Sequence, residues 1–132
     1  MRAPRQSSTL RIALAASSKL GGPVWGPGST REEFIMPTYI SLIRFTQKGV
    51  ETIREGPKRL DMAKQAFRDA GAELKAFYLV TGQYDAVAVS EAPNDETVAK
   101  LSLRTAAMGN VRTETLRAFN EDEYRKIVAS IG

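Results

Sequence analysis

The sequence predicts an α+β domain in the order strand–helix–strand–strand–helix–strand, with one more helix at its end. Three observations predict it. Four short segments, at 38–45, 73–81, 85–92 and 111–118, are rich in β-formers. Apolar residues recur at spacings of three and four between the first and second of these, and again between the third and fourth. The second and third are joined by a short Gly-containing link, which suits an antiparallel hairpin and not a crossover.

Each element has a local reason. Tyr39, Ile40, Ile43 and Phe45 carry the first strand, and Thr46-Gln47-Lys48-Gly49 reads as its polar, Gly-closed exit. Residues 50–55 make about one helical turn before Gly56-Pro57 interrupts, since proline is tolerated at a first helical position and not inside. From Pro57 a stripe of Leu60, Ala63, Phe67, Ala70 and Leu74 predicts a helix, with Lys58, Arg59, Lys64, Arg68 and Asp69 opposite and Gly71 as its C-terminal cap. The second strand carries Phe77, Tyr78, Leu79 and Val80, and Gly82-Gln83-Tyr84 supplies the turn into the third. Asn94 is an N-cap, followed by Asp95 and Glu96 where the helix dipole favours acids. Val98, Leu101 and Ala106 mark the buried side of that helix, flanked by Leu103 or Met108, and Gly109-Asn110 stops it. The fourth strand follows. Asn120 caps a last helix with an apolar side of Tyr124, Ile127, Val128 and Ile131.

This βαββαβ order is the ferredoxin-like arrangement, with a four-stranded antiparallel sheet. Its helices cover one sheet face only, so the other should be polar in a monomer. It is not. Strand one opposes Ile40 and Leu42 to Tyr39, Ile43 and Phe45; strand two opposes Phe77 and Leu79 to Ala76, Tyr78 and Val80; strand three, Ala86-Val87-Ala88-Val89, is apolar on both sides. Such a sheet needs a second cover, and a second subunit is the natural one. A homodimer, or a higher homo-oligomer, is the expectation.

Composition removes many functions. The 132 residues hold no Cys and no His. That excludes disulfides, thiolate metal sites, and Ser-His or Cys-His catalysis. A metal site would need spaced carboxylates, and Glu121-Asp122-Glu123 is only a run at a helix start. No Gly-rich phosphate loop precedes a helix in the body, so neither metal nor cofactor is expected. No apolar run is long enough to span a membrane, and a cytoplasmic location is the expectation. The net charge of +4 is carried mainly by residues 1–35, at +3, which leaves the remainder at +1. The body therefore lacks the electrostatic footprint of a nucleic-acid binder.

Residues 1–35 differ in kind. Serines punctuate them, and Gly21, Gly22, Pro23, Gly26, Pro27 and Gly28 crowd around the single Trp, Trp25. The stretch reads as a disordered extension or, being Arg- and Ser-rich and acid-poor, as a targeting segment. A third reading favours Met36 as the start. Arg31-Glu32-Glu33 can be encoded by a purine-only stretch resembling a ribosome-binding site a few codons upstream.

Two polar groups are candidates for chemistry. Tyr84 and Asp85 adjoin at a turn with Gly82; Asp85 could serve as a base and Tyr84 as a hydroxyl donor, or both could simply build the turn. On the fourth strand Arg112 and Glu114 share one face, and Thr113, Thr115 and Arg117 the other. An arginine there could hold a carboxylate in a fork, or belong to a cross-strand ladder. Lys58 and Arg59, at a helix start, are milder candidates for an anion. With a start at Met36, a free Pro37 amine could act as the general base that the absent His leaves vacant.

The sequence resembles the GYD domain family over roughly residues 36–131. The resemblance rests on Gly82-Gln83-Tyr84-Asp85, on Pro57-Lys58-Arg59, Phe77-Tyr78 and Glu91-Ala92-Pro93, and on the run from Gly109 to Arg117. It implies a ferredoxin-like fold of the dimeric α+β barrel type, and it supplies no activity. The leading expectation is a small binding or accessory protein that holds a small apolar or anionic molecule. The alternative is a cofactor-independent enzyme on small organic substrates, a monooxygenase, isomerase or tautomerase, which rests on fold analogy.

Overall fold

The computed structural model describes residues 36–132. The readings of residues 1–35, Trp25 among them, lie outside it. The described chain forms β1 (Thr38–Phe45), α1 (Gln47–Glu51), a 3-10 turn (Ile53–Glu55), α2 (Gly56–Asp69), β2 (Glu73–Leu79), β3 (Ala86–Glu91), α3 (Asp95–Ala107), β4 (Val111–Ala118) and α4 (Glu121–Ala129). One sheet holds the strands in the order β2-β3-β1-β4, with every pair antiparallel. This is the expected ferredoxin-like α+β architecture.

Local chemistry explains the helix ends. The Asn94 side chain accepts the Thr97 N–H at 2.9 Å. Asn120 accepts the Glu123 N–H, and Glu123 accepts the Asn120 N–H in return, both at 2.8 Å, so α4 opens on a reciprocal capping pair. Gly71 closes the end of α2 at φ +79°, a conformation that glycine adopts without strain.

Three expectations need correction. Thr46–Gly49 is not an exit loop. Thr46 accepts the Gly49 N–H at 3.1 Å and caps α1, which begins at Gln47. Leu74 does not belong to the α2 stripe, because the helix ends at Asp69 and Leu74 lies in β2. Strand two stops at Leu79 and not at residue 81, since Val80 already bonds across the loop to the Asp85 carbonyl at 2.9 Å.

Tyr39, Ser41 and Ile43 of β1 face the helices, with Ser90, Ala88 and Ala86 of β3 opposite them. The small residues let the helices come close: Ala86 and Ala92 are wholly buried, and Ala72 and Ala88 nearly so. Tyr39, Val98 and Leu101 fill the core, and Ala66, Phe67 and Ala70 of α2 pack against it. In β2 the register shifts between Leu74 and Ala76, leaving Lys75 as an extra residue. Leu74, opposite Ser90, and Phe77, opposite Ala88, therefore both turn toward the helices despite their odd spacing.

The other sheet face carries Ile40 and Leu42, Val87 and Val89, Ala76 and Tyr78, and Leu116. No helix of the described chain covers it. Tyr78 is 61% exposed and Leu116 49%. The apolar side of α4 is exposed as well, at Tyr124, Ile127 and Val128, with Ile131 just beyond it.

Candidate functional site

The Gly-Gln-Tyr-Asp loop closes one end of the sheet. Gly82 sits at φ +129° with open space where a side chain would stand. Asp85 is held from both sides. Its N–H donates to the Ile43 carbonyl at 2.8 Å, and its carboxylate accepts the Phe45 N–H at 2.8 Å. The carboxylate thus fastens the end of β1 to the loop, a positional task that occupies one of its oxygens.

Tyr84 lies beside the open face. Its hydroxyl donates to Glu114 at 2.8 Å, and the Arg44 guanidinium stacks 4.5 Å from its ring centroid. Arg44 also donates from Nε to the Gln83 carbonyl at 3.1 Å. Arg112 stands directly across the ladder from Arg44. The hydrogen bond to Glu114 raises the Tyr84 hydroxyl above its ordinary range; burial and the Glu114 charge add to this, and Arg44 opposes it. Tyr84 is therefore a neutral donor to a carboxylate at physiological pH.

A second polar group occupies the far end of β1, on the helix side. The buried Tyr39 hydroxyl donates to Asp95, which opens α3. Arg117 lies 5.8 Å from the Tyr39 ring centroid and 4.3 Å from that of Phe119. It donates to the Thr38 carbonyl at 3.4 Å and to that of Ala118. Pro37 is half-buried nearby, its carbonyl accepting the Ala92 N–H at 3.1 Å.

Of the residues picked from the sequence, the structure joins Gly82, Tyr84 and Asp85 in one loop and sets Arg112 across from Arg44 at the same end. It does not bring Arg117 to them. Arg112 pairs with Arg44 and Arg117 with Tyr39, at opposite ends of β1. Arg59 donates to Thr52 Oγ1 and O at 3.1 Å and to the Gly49 carbonyl at 3.4 Å, tying α2 to α1; the neighbouring Lys58 is exposed. Among the described residues no three Asp or Glu side chains converge as metal ligands would. Sequence reasoning missed Arg44. Its only signal is its place opposite Arg112, which appears once the β1–β4 register is fixed.

The Tyr39–Asp95 pair sets a pH dependence. Burial first, then the bond to Asp95 and its charge, push the Tyr39 hydroxyl up from 10.0 to about 12, with Arg117 opposing. The unfolded chain releases this proton near 10 while the folded chain keeps it to about 12. The stabilisation is complete below pH 10 and is lost as pH rises toward 12. Unfolding midpoints measured across that window should fall, and Tyr39→Phe should flatten the fall.

A curated relative from Thermus thermophilus, described as a "Glutamine synthetase and cystathionine beta-lyase binding protein", is 43% identical over 84 residues, 63% of this chain and 88% of the relative. A feast or famine regulatory protein from M. tuberculosis has the same fold at 16% identity and a TM-score of 0.52, covering 73% of this chain and 59% of that one. A crystal structure of a Thermus thermophilus protein is 28% identical, covering 64% of this chain and 95% of that one, with a TM-score of 0.43. No helix among the described residues is long and apolar enough to cross a membrane. The model of the GYD domain matches residues 39–128, over the same strands and loop that build the site. This chain belongs to the GYD domain family.

Proposed function

We propose that this chain is an accessory protein that works by binding other proteins, and that it does so as a homodimer closed over the open sheet face. The observation that carries the homodimer is that face, which the second copy occupies, so that other proteins meet the dimer elsewhere. Ile40, Leu42, Val87, Val89, Tyr78 and Leu116 form one apolar surface without a helix over it. A surface of this kind is a place of association. The name of the Thermus relative supports protein targets, two enzymes in its case. Protein contact is favoured over storage of a small molecule between sheet and helices, because small side chains already draw those layers together there. Catalysis is the weaker alternative, since Asp85 is bonded to backbone and Tyr84 to Glu114.

Two measurements test the reading. Light scattering at micromolar concentration should give twice the chain mass, and Leu42→Glu should give the monomer while its circular dichroism stays native. Interfaces that remain closed bury on the order of 2,000 Å² or more, so one charge at the centre should suffice. Calorimetric titration with purified glutamine synthetase and with cystathionine β-lyase tests the targets. A monomeric wild type that binds neither enzyme would refute the proposal.

A further inference from the structure

The open face carries two like-charged pairs. Arg44 and Arg112 are direct cross-strand partners on β1 and β4, at the end near Tyr84. Glu73 and Glu91 are direct cross-strand partners on β2 and β3, at the other end. Like charges in directly opposed positions destabilise a sheet, so each pair is locally unfavourable. Among the described residues no carboxylate lies within ion-pair distance of Arg44 or Arg112, and the one cation within that distance of the acidic pair is Lys75, 3.7 Å from Glu73. Arg44 is nevertheless held in place by the Tyr84 ring and the Gln83 carbonyl.

The two pairs occupy diagonally opposite corners of the face. In the order β2-β3-β1-β4, the acids lie on the first two strands and the arginines on the last two. Between the corners lie the rows of Ile40 with Val89 and Leu116, and of Leu42 with Val87 and Glu114, the last held by the Tyr84 hydroxyl at 2.8 Å. We infer that the two corners are halves of one intermolecular contact. The occupant is a second copy of this chain, and its acidic corner sits on the basic corner of the first. A two-fold axis in the plane between the sheets, running across the line that joins the corners, exchanges them and forms the contact twice. The pairs that repel within a protomer then attract across the interface, and the unwanted pairing of equal corners is repelled. The inference rests on the homodimer proposed above and adds which way round the copies meet.

Sedimentation equilibrium of the full chain tests it, with circular dichroism confirming that each variant folds. Arg112→Glu alone and Glu91→Arg alone should each raise the dimer Kd by about tenfold or more. Both changes in one chain should restore it to within about threefold of wild type. Mixing the two single variants should produce a heterodimer in preference to either homodimer, because both of its corner contacts are of opposite charge. Where a reversal prevents folding, Arg112→Gln and Glu91→Gln replace it, each weakening the dimer and the two together costing less than their sum. A wild-type dimer indifferent to the single changes, or a double variant weaker than both, overturns the corner pairing and leaves the homodimer standing. A monomeric wild type removes the homodimer itself.

Discussion

Gly49→Ala is expected to destabilise the fold by about 3 kcal/mol, the cost of forcing a methyl group into filled space. A Cβ at Gly49 would stand 2.1 Å from the Asn110 carbonyl oxygen and 3.1 Å from its carbon. Both are backbone atoms, and that backbone is committed. The Asn110 carbonyl accepts the Thr46 N–H at 3.0 Å, and the Thr46 hydroxyl donates to the Gly109 carbonyl at 2.6 Å. The way out of β1 and the way into β4 are thus pinned together where the methyl would go. Gly56→Ala is the control. It lies at φ −52°, beginning α2, and apart from its chain neighbours and its own helix backbone nothing comes within 4 Å of where its methyl would stand. Alanine there gains helix propensity but crowds its Cβ against the Pro57 ring that follows, so the net change should stay within about 1 kcal/mol of zero. Urea unfolding of both variants reads the difference, and equal midpoints would show that the Gly49 approach is not tight.

Asp85→Ala should cost about 2 kcal/mol, the penalty for a partly buried donor without its acceptor. The orphan would be the Phe45 N–H, now 2.8 Å from the carboxylate. Asp85→Asn keeps an acceptor of the same shape and should recover roughly half of the loss. Unfolding midpoints for the two variants give the comparison. If alanine left stability unchanged, the fastening of β1 would not be what this Asp supplies.

The legible parts of the fold are those whose chemistry is local. Asn94 and Asn120 bond N–H groups three residues on, and Gly71 needs only its own φ, so each can be read from its neighbours. The alternation on β4 is equally readable, with Arg112 and Glu114 exposed and Thr113 and Thr115 half-buried. What escapes depends on distant partners. Gly49 looks like an ordinary loop glycine until Asn110 is placed against it. Asp85 reads as a local turn former, yet its carboxylate serves an N–H forty positions earlier. The shift at Lys75 cannot be read from a pattern of period two, because an inserted residue breaks the period it would be read from. Leu74 misleads for a related reason. Its spacing from Ala70 continues a helical stripe that has already ended.

The bulge at Lys75 also bears on what the sheet refuses to do. β2 is an edge strand, and a regular edge is a template on which another strand can add without limit. An extra lysine and a broken register spoil that template. The other edge, β4, is studded with Arg112, Glu114 and Arg117. Growth of fibrils by sideways stacking of sheets is discouraged along both borders, and association is left to faces of the molecule, where a closed contact ends the growth.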